Sequence, residues 1–175
     1  MFIKILGGFN AKLYITFDKN ILMRTVKQGS VVDVDYEGRL DGGRLFDTSK
    51  ESVAKDEGIY AEGRDYEPLH ITVGQGTVIK GFENALIGME EEEEKTVLIK
   101  SDDAYGKHKE ELVKEFDKDP IRDKKLKVGM ILMVNVGERD IPARVVGVSD
   151  KISLDFNHTL AGKDLTFKIN VVKIE

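Results

Sequence analysis

Val73-Gly74-Gln75-Gly76-Thr77-Val78-Ile79-Lys80-Gly81-Phe82-Glu83-Asn84-Ala85-Leu86-Ile87-Gly88-Met89 decides the fold. The stretch opens as a glycine-rich turn and continues as a short amphipathic helix. Val78, Phe82 and Leu86 recur at i, i+4 and i+8, with Ile79 and Ala85 beside them, so they form one apolar stripe. Lys80, Glu83 and Asn84 fall on the other face, and Gly88 supplies a C-terminal stop. A helix of about ten residues is not stable by itself. Its stripe needs a partner surface, and the flanking sequence is mostly strand-like. One helix packed across a sheet is the expected arrangement. The glycines run G-x-G-x-x-x-x-G, which puts Ile79 where a dinucleotide fingerprint needs its third glycine, and no G-K-[ST] follows. Neither phosphate-binding motif is met.

Upstream, Val32, Val34 and Tyr36 alternate with Asp33, Asp35 and Glu37, the period of a half-buried strand. Asp41-Gly42-Gly43 reads as the turn of a hairpin that continues through Leu45-Phe46-Asp47. Residues 48 to 67 are polar and are expected to form a long surface excursion. Leu69, Ile71 and Val73 then alternate as a strand that leads into the helix. Downstream, Glu90 to Glu94 reads as a solvated acidic turn, where like charges repel rather than form a site. A strand follows at Thr96 to Lys100, then Asp102-Asp103-Ala104-Tyr105-Gly106. Residues 107 to 128 are rich in lysine and glutamate, with Leu112, Val113 and Phe116 as one apolar spot. From Gly129 the pattern is β again: Met130 to Val136, a turn at Gly137 to Asp140, Ile141 to Val148, and Ile152 to Phe156. Leu165 to Ile174 alternates cleanly and closes a sheet. Asn157-His158-Thr159 matches a glycosylation sequon, but no signal peptide accompanies it. Residues 1 to 22 contain Phe2, Ile3, Ile5, Leu6 and Phe9, and are expected to be an upstream extension ahead of a natural start at Met23. An extra edge strand is the alternative.

The chain has 175 residues, 41% of them hydrophobic, enough for one domain with a small appendage. Its net charge of −5 and lack of a basic cluster argue against nucleic acid as a partner. With no cysteine there can be no disulfide, thiol nucleophile or zinc thiolate. The three histidines, His70, His108 and His158, are too scattered to suggest a metal site. No apolar run reaches the length of a membrane span. High charge (34%) without cysteine points to a heat-tolerant intracellular protein, and a cytoplasmic monomer is expected.

Tyr36 and Phe46-Asp47 on the hairpin, Val78-Ile79-Lys80-Gly81-Phe82 on the helix, and Ala104-Tyr105-Gly106 beyond it resemble, in order and spacing, the FKBP-type peptidyl-prolyl isomerases. The likeness spans roughly residues 26 to 106 and 157 to 175. The segment from Glu110 to Asp155, followed by Asn157-His158-Thr159-Leu160-Ala161-Gly162, is similar to the SlyD-like branch. The loop Glu51 to Glu67 looks like that branch's archaeal members. The resemblance implies a mostly β, α+β fold: an antiparallel sheet wrapped around one short helix, with a small β-rich domain inserted in the flap. The isomerase domain would then be 23–109 with 155–175, and the insert 110–154. Carried over by position, the pocket would be lined by Tyr36, Phe46, Asp47, Leu69, Ile71, Val78, Ile79, Phe82, Tyr105 and Phe167. Phe82 stands where many members have tryptophan, and Leu69 where an aromatic is common. Glu92 occupies a position where glycine is usual, which suggests a different turn. The histidine-rich metal tail of some bacterial members has no counterpart, so nickel is not expected, and no cofactor is needed.

The implied reaction is rotation about an X–Pro bond, whose barrier is about 18–20 kcal/mol. No bond is made or broken. The twisted amide has lost its resonance and is less dipolar than the planar one, so an apolar aromatic pocket binds it better. By resemblance, the Ile79 N–H and the Tyr105 hydroxyl would hold substrate carbonyls. Asp47, oriented by Tyr36, would sit beside the turning amide, and the prolyl ring would rest on Phe82. Taken singly, Phe82 and Ile79 read as core residues, Tyr36 as a strand aromatic and Asp47 as a turn acid. Only the joint pattern makes a pocket. The implied partners are proline-containing unfolded polypeptides, with macrolide inhibitors as further ligands. The insert is expected to expose an apolar face of Leu112, Val113, Phe116, Met130, Leu132 and Met133 for unfolded chains, because so small a core cannot bury everything. Alternatives are a non-catalytic chaperone with a vestigial pocket and a metallochaperone, the latter disfavoured by the histidine count.

Overall fold

The computed structural model describes residues 24–117 and 126–175, so the expected extension at 1 to 22 lies outside them. The described residues form two antiparallel sheets. The first is built from β1 (Val31–Leu40), β2 (Leu45–Thr48), β3 (Leu69–Thr72), β4 (Glu94–Ile99) and β9 (Leu165–Ile174). The long strand β1 is its axis. Along one edge it pairs with β3 through Val31–Val34 and with β2 through Glu37–Arg39, and along the other with β9 from Val32 to Leu40. Strand β9 then carries β4 on its far side. The hairpin turns at Asp41 to Gly43, where the Gly43 N–H donates to the Leu40 carbonyl at 3.0 Å.

Helix α2 (Lys80–Leu86) crosses this sheet. Phe82, Ala85 and Leu86 are buried against Val32, Val34, Ile71, Ile99, Leu165, Phe167 and Ile169 in one core. Full burial of a side chain the size of Phe82 or Leu86 stabilises by about 1.5–3 kcal/mol, which offsets the poor intrinsic stability of so short a helix. Gly81 is required by close approach: a β-carbon there would collide with the Ile99 side chain and lie 3.2 Å from the Asp103 carbonyl. The helix is shorter than its periodicity suggests. Ile79 is still extended, at φ −59 and ψ 142, and serves as the N-cap. No side chain caps it, but Glu83 reaches back to accept the Gly76 N–H at 3.0 Å, tying the glycine-rich turn to the helix.

The excursion at 48 to 67 is not wholly irregular. It begins with α1 (Glu51–Asp56), one short helix that buries Ala54. A single buried alanine among charged residues gives no periodic signal, which is why the pattern reads as loop. The acidic turn also differs from expectation. Glu92 adopts φ +66, the backbone region that glycine normally fills. The turn is thus one that suits glycine, made here by glutamate, and its N–H donates to the Val171 carbonyl at 2.7 Å.

The second sheet comes entirely from the chain between β4 and β9. Its order is β5 (Val113–Asp117), β8 (Lys151–Asp155), β7 (Arg139–Val148), β6 (Ile131–Val136). It has its own small core of Ala143, Val145, Ile152 and Leu154, against which Leu126, Leu132, Val134 and Phe156 pack. Leu132 therefore belongs to the inner face, a correction to its place among the exposed apolar residues, since its cross-strand partner is the buried Ala143. Ile131 and Met133 alternate to the outer face and are 59% and 64% exposed. Met130, Leu112 and Phe116 are also exposed, and Val113 is half-buried.

Two connections join the sheets, and they run side by side. The Gly162 N–H donates to the Gly106 carbonyl at 2.7 Å. Asn157 grips Lys109 at both ends, accepting its N–H and donating to its carbonyl, each at 2.9 Å. Asn157 of the sequon is thereby committed to structure.

Candidate active site

A cavity of about 160 Å³ opens between α2 and the first sheet, lined by Tyr36, Phe46, Asp47, Leu69, Thr77, Val78, Ile79, Phe82, Tyr105 and Phe167. That is well below the roughly 300–1,000 Å³ of pockets for drug-sized ligands, and suits one small ring. Strand β1 contributes Tyr36, β2 contributes Phe46 and Asp47, β9 contributes Phe167, and the start of α2 contributes the floor. Nine of the residues expected at a pocket meet there; Ile71 does not. Leu69 and Ile71 share a face of β3, but Ile71 lies one step deeper, 4% exposed in the core. Thr77 completes the wall instead.

The aromatic rings meet edge to face. Phe82 and Phe167 lie 5.3 Å apart with planes at 80°, Phe46 and Phe167 5.7 Å apart at 90°, and Tyr36 and Phe82 6.1 Å apart at 86°. This is the favoured geometry for such rings. Gly38 makes room for it, because a β-carbon there would sit 2.7 Å from Phe46 and 3.0 Å from Phe167. Phe82 is 3% exposed, so the floor is fixed by packing before any ligand arrives.

Polar groups mark the rim. The Tyr36 hydroxyl donates to Asp47 Oδ2 at 2.8 Å, and the Thr48 N–H donates to Asp47 Oδ1 at 2.9 Å. Arg64 Nη2 lies 2.7 Å from the same Oδ1 and also donates to the Thr48 carbonyl at 3.1 Å. Burial, the Asp47 charge and the hydrogen bond to it push the Tyr36 phenol up to about 12, so it is a neutral donor at physiological pH. Tyr105 is raised as well, by burial and then by Asp47. Its ring stacks on His158, with centroids 3.9 Å apart and planes at 7°. The Leu160 N–H donates to His158 Nδ1 at 3.2 Å, which holds the imidazole in place. Among the described residues, neither the Ile79 N–H nor the Tyr105 hydroxyl has a hydrogen-bond partner.

Besides Thr77, Arg64 and His158 are the residues at the site that sequence reasoning missed. Arg64 sits in the polar excursion between other charges, and His158 inside a motif notable for its asparagine. Neither carries a local signal, because each is brought to the site only by the fold. Among the described residues, no group of three or more His, Asp or Glu is placed to hold a metal ion. No described helix is long and apolar enough to cross a membrane.

Comparison with known proteins agrees with this geometry. The family model of FKBP-type peptidyl-prolyl cis-trans isomerases matches residues 23–172. The chain is 42% identical over 157 residues to the short-type peptidyl-prolyl cis-trans isomerase of Methanocaldococcus jannaschii, covering 88% of this chain and 97% of that one. It is 32% identical over 151 residues to the FKBP-type isomerase SlyD of Yersinia pestis, covering 85% of this chain and 70% of that one. A probable FKBP-type 16 kDa isomerase of Pseudomonas fluorescens is 25% identical over 160 residues, covering 90% and 97%. With a match that runs from residue 23 into the last strand, and an aromatic cavity at the helix, the chain belongs to the FKBP-type peptidyl-prolyl cis-trans isomerase family.

Proposed function

We propose that the aromatic cavity is where this isomerase turns the X–Pro bonds of unfolded or partly folded polypeptides. The observation that carries the assignment is a ring-sized aromatic cavity whose wall holds two donors without a partner among the described residues, the Ile79 N–H and the Tyr105 hydroxyl. The prolyl ring rests on Phe82 between Tyr36, Phe46 and Phe167. Leu69 and Val78 close its sides. Ile79 and Tyr105 take substrate carbonyls and hold the chain on either side of the turning bond. Asp47 stands beside the amide, kept in place by Tyr36, Thr48 and Arg64.

The energetics suit these roles. Resonance is what makes the planar amide rigid and strongly dipolar. A water-poor ring of aromatics gives up less solvation with the twisted amide than with the planar one, so the transition state gains relative to the ground state. No cofactor enters. Macrolides are proposed as competing ligands that would reach beyond the small cavity onto its rim.

The second sheet is proposed as an inserted lobe, residues 110–154, that holds unfolded chains on Ile131, Met133, Met130 and their exposed neighbours. Support comes from its separate core and from side chains too apolar for an ordinary solvated face. A chain captured there raises the local concentration of its prolines at the cavity.

The test is refolding of a protein limited by proline isomerisation, comparing the full chain with one in which 110–154 is replaced by a short turn. The deletion should lose most of the acceleration of protein refolding while keeping its rate on a short proline peptide, which also shows that it folds. Equal refolding rates would refute the capture role. Full activity on the peptide with Asp47→Ala and Tyr105→Ala together would refute the cavity assignment.

A further inference from the structure

Phe46 is a wall of two cavities, not one. On its other side lies a cleft of about 460 Å³, nearly three times the volume of the prolyl cavity. Its floor is apolar: Leu40 and Leu45 from the β1–β2 hairpin, Ile59 from beyond α1, and Leu160 from the return to β9. Three cations share the lining, Arg44 on the hairpin, Arg144 on β7 and Lys163 before β9. Arg144 projects from the outer face of the second sheet, in register with Asp155 on one side and Ile131 on the other.

None of the three cations makes an ion pair or donates a side-chain hydrogen bond among the described residues. Two carboxylates that share the cleft wall or the strand register with them are committed elsewhere. Glu57, also in the cleft wall, accepts from Arg39 at 2.8 Å. Asp155 accepts from Asn157 at 2.7 Å and lies 3.1 Å from His108. In a chain of net charge −5, this is a local reversal of sign over an apolar base.

We infer that this cleft is a second subsite for the substrate polypeptide, which receives an acidic side chain and its apolar neighbours a few residues from the isomerising proline. The inference rests on the prolyl cavity being the place where that bond is held. Because Phe46 lines both, a chain held in the cavity has the cleft within reach of its next few residues. The apolar floor suits a polypeptide segment better than a bare inorganic anion, and the volume falls within the range of binding pockets. The three cations supply the complementary charge, which selects partners and speeds encounter. The enzyme would therefore discriminate among prolines by the charge of nearby residues.

The experiment uses the full chain and a set of short proline peptides in which glutamate replaces alanine at each position in turn on both sides of the proline. At low salt, peptides whose glutamate reaches the cleft should show kcat/KM about tenfold above the all-alanine peptide, the scale of a few partly exposed ion pairs. The gain should shrink at about 1 M salt, where charges are screened within about 3 Å. Arg144→Gln and Lys163→Gln should each reduce the gain, and the triple variant that adds Arg44→Gln should abolish it, while the rate on the all-alanine peptide stays unchanged and shows that the fold is intact. Equal rates for glutamate and alanine at every position, or a gain that survives the triple variant, would overturn the subsite while leaving the prolyl cavity standing. Failure to accelerate even the all-alanine peptide would overturn both at once, a distinct result.

Discussion

The Asp47 carboxylate takes Tyr36 on one oxygen and Thr48 and Arg64 on the other, so losing one donor leaves two in place. A single charge-assisted hydrogen bond is worth on the order of 1.5 kcal/mol, close to a factor of ten in rate. Arg64→Met should lower kcat/KM on a proline peptide by about threefold, and Asp47→Ala by about tenfold or more, as measured by exchange between cis and trans peptide signals. The reverse order would mean that Arg64 acts on substrate directly. Tyr36 gives a second check. Its phenol is raised to about 12 by burial first and Asp47 second, so Asp47→Asn should lower it toward 10 without reaching it. Tyrosine ring-carbon shifts across an alkaline titration would show this. The sign for stability follows: the folded state holds the proton more tightly, so this contribution is complete below pH 10 and is lost as pH rises toward about 12. Tyr36, Asp47, Ile79 and Phe82 were legible in the sequence only as a set, since each alone fits a core or turn residue. Arg64 and His158 were not, because contacts between distant loops leave no spacing to read.

Helix α2 could be read from sequence because its stripe is dense and its partner strands alternate. Helix α1 could not, with Ala54 its one buried residue. The acidic turn shows a different limit. Repulsion among Glu90 to Glu93 is visible in the sequence, but the backbone sign at Glu92 is set by the bond to Val171 on β9. A left-handed conformation costs a residue with a β-carbon about 1–2 kcal/mol, partly offset on going to glycine by the entropy of a freer unfolded chain. Glu92→Gly should therefore stabilise by about 0.5–1 kcal/mol, raising Tm by roughly 1–4 °C in a thermal melt. A lowered Tm would show that the Glu92 side chain stabilises the turn by more than its backbone strain costs.

At the scale of the whole molecule, the described residues form two cores with no shared buried residue. The sequence shows this division as a change of character after Gly106, from alternating strands to a charged stretch and back. It does not show which apolar residues of the second sheet face out, because that depends on register. Leu132 and Met133 are neighbours in sequence and lie on opposite faces. Ile131→Lys with Met133→Lys should change stability by no more than about 0.5 kcal/mol each, as both side chains are largely in water. The same pair should weaken suppression of aggregation of a denatured protein severalfold, read by light scattering. Unchanged suppression would place the holding surface elsewhere.

The hydrogen bond between Gly106 and Gly162 has a consequence for how such a chain can be assembled and altered. Everything from 107 to 161 begins and ends at this one bonded pair, which sits between the end of β4 and the start of β9. To the first sheet the long segment is equivalent to a tight connection, and its length adds only slowly to the entropy of closure. The segment is thus a cassette on a single socket. On the proposed reading of an inserted lobe, its contents can be exchanged, enlarged or reduced to a few residues while the strands on either side keep their register, so a binding specialty changes without the cavity being rebuilt.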